Sequence, residues 1–164
     1  MTQQGAERVK ASWSTVVACL CALAYVVMKV WMAADGEAGL PGFPATAEVN
    51  ASSSHIALRQ LGNGALGMAA IVLALATARP WGSKLVRWML VAIAWGVLVA
   101  LLAGTAVLLA RLFTLTSAFA PLKFGMANIL VTTVAIIWLL AWALLAWRML
   151  RTQFADWRSA GRDS

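Results

Sequence analysis

Few side chains in this chain are equipped for chemistry, and they are spread thinly. His55 is the only histidine, Cys19 and Cys21 are the only cysteines, and the six acids are Glu7, Asp35, Glu37, Glu48, Asp156 and Asp163. A thiol oxidoreductase needs a C-x-x-C pair, whereas Cys19 and Cys21 are two apart and point to different sides of a helix. A zinc site needs three or four ligands, and His55 with Asp35, Glu37 and Glu48 shows no ligand-type spacing. No nucleophile elbow, phosphate loop or dinucleotide fingerprint is present. The sequence therefore points to no catalytic residue, no metal and no cofactor.

What remains is a handful of polar groups inside long apolar runs. Lys29 is the one charge in the first run; its stem can snorkel to an interface, with Asp35, Glu37 or Glu48 as partner. Asn63 lies near the start of the second run and Asn128 near the start of the fourth, with Thr132 one turn beyond Asn128 on the same face. Lys29, Asn63, Asn128 and Thr132 are thus the candidate ligand pocket. The alternative is interhelical hydrogen bonding that only fixes the packing.

The elements that must position these groups follow from composition. The 164 residues are 62% hydrophobic and 12% charged, with a mean hydropathy of +0.81. A soluble domain carries about 25% charge, and a chain this short cannot bury so much apolar surface in a core. The fold class expected is all-α, an integral membrane four-helix bundle with a C-terminal amphipathic extension.

A crossing needs about 20 apolar residues. The expected organisation is an N-terminal segment 1–10, spans over 11–32, 56–78, 84–110 and 122–147, loops over 33–55 and 111–121, a turn over 79–83, and a basic tail over 148–164. The first run is longer than an ordinary signal-peptide core and is read as a retained helix. Gly36, Gly39, Pro41, Gly42 and Pro44 break the chain after the first span, Arg79-Pro80-Trp81-Gly82 after the second, and Pro121 before the fourth. Ser52, Ser53 and Ser54 are candidate N-caps for the second. Asn50-Ala51-Ser52 matches a glycosylation sequon, a pattern common by chance. Trp13 and Trp31 stand roughly 27 Å apart along a helix, a spacing that suits two interfacial belts.

Charge sets the expected orientation. Arg8, Lys10, Arg79, Lys84, Arg87, Arg148, Arg151, Arg158 and Arg162 gather on one side, and Lys29, Arg59, Arg111 and Lys123 on the other. With the acids counted, the net +7 divides into +6 and +1. The positive-inside rule then puts both termini in the cytoplasm and the long loop outside, in a multi-pass protein of the bacterial inner (plasma) membrane. The basic excess is juxtamembrane and meets anionic lipid, so no nucleic-acid partner is expected.

Two surfaces stand out. Ala92, Gly96, Ala100 and Gly104 recur every fourth position and form a small-residue ridge, which serves either packing within the chain or contact with a second copy or another membrane protein. Ser14, Ala18 and Ala22 in the first span and Ala70, Ala74 and Ala78 in the second are similar faces. In the tail, Trp147, Leu150, Phe154 and Trp157 recur at helical spacing, with Arg148, Arg151, Arg158 and Arg162 largely opposite. Arg151, Phe154, Trp157 and Arg158 are the candidate membrane-surface residues, either continuing the fourth span or lying along the inner leaflet.

Lys29-Val30-Trp31 before a Gly/Pro-rich loop, and Arg79-Pro80-Trp81-Gly82 followed by Arg87-Trp88, resemble small multi-pass membrane proteins of actinobacterial type; the likeness covers roughly the first two-thirds of the 164 residues. The nine arginines against four lysines fit it. The resemblance implies no activity and transfers no functional residue. Three functions are compatible with the residues: a non-enzymatic accessory subunit or homo-oligomeric scaffold, a binder or carrier of a lipid-like small molecule, and a membrane-embedded isoprenoid or lipid enzyme relying on Asp35, Glu37 and Glu48.

Overall fold

Each helix begins and ends where local chemistry permits. Ser12 adopts an extended conformation and its side chain accepts from the Thr15 amide, which opens α1 (Trp13–Asp35). Gly36 closes it in the left-handed region at φ 68°, a conformation glycine takes without penalty. Gly39–Leu40 (β1) and Phe43–Pro44 (β2) then form a short antiparallel ribbon, with Leu40 opposite Phe43. Its turn is Leu40-Pro41-Gly42-Phe43, with proline second and a glycine at φ 77° third, the signature of a type II turn. Three further helices follow: α2 (Ile56–Thr77), α3 (Lys84–Leu112) and α4 (Met126–Ala160).

The computed structural model describes residues 12–46, 48, 51, 54–79, 83–113 and 125–160, with 44 and 155–160 described through the backbone alone. The Pro80–Gly82 turn, Asn50 and Ser52 of the sequon, Ser53, most of the 111–121 loop, and the side chains of Trp157 and Arg158 lie outside the described residues.

Among the described residues four helices are long and apolar enough to cross a membrane. Their limits shift from those expected. The first runs to Asp35 rather than 32, because no helix breaker precedes Gly36. The second starts after His55, which holds the N-cap position without a side-chain bond; none of the three serines occupies it. The third extends to Leu112. The fourth starts at Met126, after Gly125, and continues without a break to Ala160. Its 35 residues span roughly 52 Å at 1.5 Å each, well beyond the hydrocarbon thickness, so the basic tail is the end of this helix and not a separate one.

Side by side, α1 packs against both α2 and α4, while α3 packs against α4 and only grazes α2. Small residues allow the close approach. Ser14, Ala18 and Ala22 of α1 are buried, as are Gly64, Gly67, Ala70 and Ala74 of α2. Gly67 is the tightest point: an added Cβ would stand 2.7 Å from Val26 Cγ2 and 3.1 Å from Tyr25 Cδ1. On the other flank of α1, large rings fill the space. Trp142 is fully buried, and Trp138 packs against Tyr25 in a tilted pair, 5.5 Å between centroids. Outward faces are apolar, with Leu20, Val27, Val72, Val99 and Leu140 exposed, as expected of helices solvated by hydrocarbon.

Gly67→Leu is therefore expected to lower stability by about 1–3 kcal/mol through overpacking. Gly62→Ala, where an added Cβ meets nothing within 4 Å, is expected to be neutral or to stabilise by up to about 1 kcal/mol. Melting of the detergent-purified chain, followed by tryptophan fluorescence, checks both.

Candidate functional site

At one end of the molecule the ribbon folds back onto the helix ends, and four helices each supply a polar side chain to it. Lys29 of α1 is 5% exposed; its Nζ donates to the Gly39 carbonyl at 2.9 Å and to Gln60 Oε1 at 2.8 Å. Gln60 of α2 is also buried, and its Nε2 donates to the Glu37 carbonyl at 2.8 Å. Arg111 of α3 donates from Nη1 to the Phe43 carbonyl at 3.3 Å and lies 5.5 Å over the Phe43 ring. Asn128 of α4 donates from Nδ2 to the Gly42 carbonyl and accepts at Oδ1 from the Gly125 amide at 3.0 Å.

The physical reason is backbone satisfaction. A ribbon of two residues per strand pairs few of its own groups, and its outward carbonyls would otherwise stand bare beside apolar helices. Phe43 anchors the ribbon with a ring that is 0% exposed. Gly42 lets it approach α4: a Cβ there would lie 2.7 Å from the Asn128 amide nitrogen, at a φ that disfavours any side chain.

This arrangement differs from the expected pocket. Asn63 is half-buried and shares no hydrogen bond with Asn128, whose amide is committed to the ribbon and to its own helix start. Thr132 is buried with its hydroxyl unpaired among the described residues. Lys29 points inward rather than snorkelling, and its partners are a carbonyl, an amide and the Tyr25 ring at 5.6 Å, not an acid. A stem this near a gap between helices reaches buried acceptors sooner than it reaches the exposed Asp35 or Glu37. The polypeptide's own loop thus sits where a ligand was expected.

Gln60, Arg111 and Phe43 escaped the sequence reading. The usable signal was the L-P-G-F turn next to isolated long polar side chains at three helix ends. Chemically, the cluster supplies donors to carbonyl oxygens. Among the described residues no group of three or more His, Cys, Asp or Glu could hold a metal.

The other selected surfaces are placed as follows. Ala92, Gly96, Ala100 and Gly104 all face outward, and nothing lies within 4 Å of a Cβ built at Gly96 or Gly104. The ridge is therefore not used in packing within the chain. In the tail, Arg151 sits 6.0 Å over the Trp147 ring, on the same face and not opposite it, because the two are four residues apart. Phe154 is exposed beside them. No family model, curated protein or solved structure matches the chain.

Asn128→Ala leaves the Gly42 carbonyl without its donor, and Lys29→Met removes the shorter of two donors from Gly39 and the donor to Gln60 Oε1. Each is expected to destabilise by about 1–3 kcal/mol and to release the ribbon. A cysteine placed at Leu40 should react faster with a polar thiol reagent in both variants than in the parent, while Asn63→Ala should leave its rate unchanged.

Proposed function

We propose that this chain is a non-enzymatic multi-pass membrane protein that acts as a homo-oligomeric scaffold. It is a four-helix bundle in the cell membrane with both termini in the cytoplasm, the ribbon outside, and α4 projecting inward as a basic amphipathic extension. The observation that carries this reading is the outward ridge Ala92-Gly96-Ala100-Gly104 on α3.

Within hydrocarbon the drive for helices to associate comes from close backbone approach, and small residues at every fourth position allow it. Elsewhere in this chain the same device is used internally, between α1 and α2. On α3 the device is present and turned outward. A second copy is the natural occupant, because a two-fold axis through the ridge sets Gly96 and Gly104 of one chain against those of the other. The arginine-bearing end, with Lys84, Arg87, Arg148 and Arg151, supports a cytoplasmic assignment.

The lipid-carrier reading is weakened by Phe43 and Gly42, which occupy the expected pocket. The enzyme reading is weakened by the exposure of Asp35, Glu37 and Glu48, of which only the Glu37 backbone meets the buried polar cluster.

In nanodiscs, subunit counting by single-molecule photobleaching should find two copies for the parent chain. Gly96→Leu with Gly104→Leu should yield single copies that still fold, since a Cβ at either position meets nothing within 4 Å in its own chain. A parent chain that is single at every loading density overturns the scaffold reading. Reporter fusions at the two termini should both register cytoplasmic.

A further inference from the structure

At the end of the molecule away from the ribbon, α2, α3 and α4 flank a half-open cavity of about 200 Å³. Arg79, just beyond α2, and Arg87, in the first turn of α3, both line it, with Gln153 of α4 between their helices. Gln153 is 7% exposed and makes no hydrogen bond among the described residues. Its carboxamide is open to the cavity, so something held there can meet it.

The lining restricts what that something is. Thr77 and Thr152 turn their hydroxyl protons onto the Ala74 carbonyl at 2.7 Å and the Met149 carbonyl at 2.8 Å. The remaining donors are the two guanidinium groups and the Gln153 amide, and among the described residues no acid lines the space. Arg87 has a further contact in the protein, and a guanidinium carries five N–H donors, enough to serve two acceptors. Paired planar donors suit an oxyanion, carboxylate or phosphate, and at the end of membrane-spanning helices the abundant oxyanion is the lipid phosphate. The volume is below the roughly 300–1,000 Å³ of a pocket for a whole small molecule, so it suits a headgroup. Leu90 and Met149 complete the wall with apolar surface, which suits the ester carbons of a lipid.

We propose that this cavity binds a phosphate group, presented by an anionic phospholipid or by soluble phosphate. Basic pockets between membrane helices hold anionic headgroups by this chemistry. The site lies on α2, α3 and α4 at the arginine-bearing end and does not involve the ridge on α3, so it stands or falls separately from the scaffold reading.

The full chain in mild detergent is titrated with dioctanoyl phosphatidylglycerol, dioctanoyl phosphatidylcholine and inorganic phosphate, and bound species are counted by native mass spectrometry. Phosphatidylglycerol should bind about tenfold more tightly than phosphatidylcholine. Arg79→Gln and Gln153→Glu should each weaken it by about tenfold, whereas Arg148→Gln, which removes an exposed charge outside the lining, should leave it unchanged. Arg79 is exposed at a helix end, so its variant keeps the fold even if the buried Gln153 variant does not. Displacement of the lipid by millimolar phosphate assigns the site to soluble phosphate; retention of the lipid assigns it to the headgroup. Equal binding of the two lipids, or an Arg148→Gln loss as large as that of Arg79→Gln, overturns the proposal.

Discussion

The structure depends on how a few bare carbonyl oxygens are satisfied at the ends of apolar helices. The segment after α1 leaves the helix and forms a ribbon too short to pair its own backbone. Lys29, Gln60, Arg111 and Asn128, one from each helix, meet the carbonyls of Gly39, Glu37, Phe43 and Gly42. In a low-dielectric setting such bonds are strong and their absence is expensive. Lys29 serves here as a hydrogen-bond donor to a backbone carbonyl and an amide, beside the Tyr25 ring, with no carboxylate among its described partners. A lysine within a membrane helix usually invites a transport or catalytic explanation. Here its two hydrogen bonds and the ring beside it account for it.

Packing below the ribbon divides the molecule unequally. The pair α1 and α2 is held by backbone proximity through Ala22, Gly67 and Ala70, while α1 and α4 meet through the rings of Tyr25, Trp138 and Trp142. By contrast, α3 leans on α4 and shows its smallest side chains to the outside. In a soluble protein such a face would be a fault. In hydrocarbon a row of small residues is neutral until a complementary helix arrives. The unequal division is what separates a self-sufficient three-helix contact from a helix with spare recognition surface.

Helix number and approximate limits were legible because a 20-residue apolar run bounded by glycine and proline has few other readings. The ends moved by a few residues where capping decided them, at Ser12, Gly36 and Gly125. The polar cluster was half legible. Lys29 and Asn128 stood out as polar groups in apolar runs, but the amide facing Lys29 is Gln60, one turn before the Asn63 that the sequence suggested. Spacing identifies a face of a helix and leaves its neighbour undetermined, so Asn63 and Gln60 could not be ranked. The same limit applied to the ridge on α3: its period was visible, its direction was not. Arg111 was counted only as a charge near a span end, and nothing in one sequence reveals that it reaches the Phe43 carbonyl 68 residues earlier.

That long reach has a bearing on biogenesis. Asn128 and Gly42 are 86 positions apart, and the arginine that grips Phe43 also emerges long after it. During synthesis the ribbon therefore has only Lys29 and Gln60 to hold it until α3 and α4 have followed. The full clasp closes only on a complete set of helices, and a chain that ended before α4 would lack the Asn128 contact at Gly42.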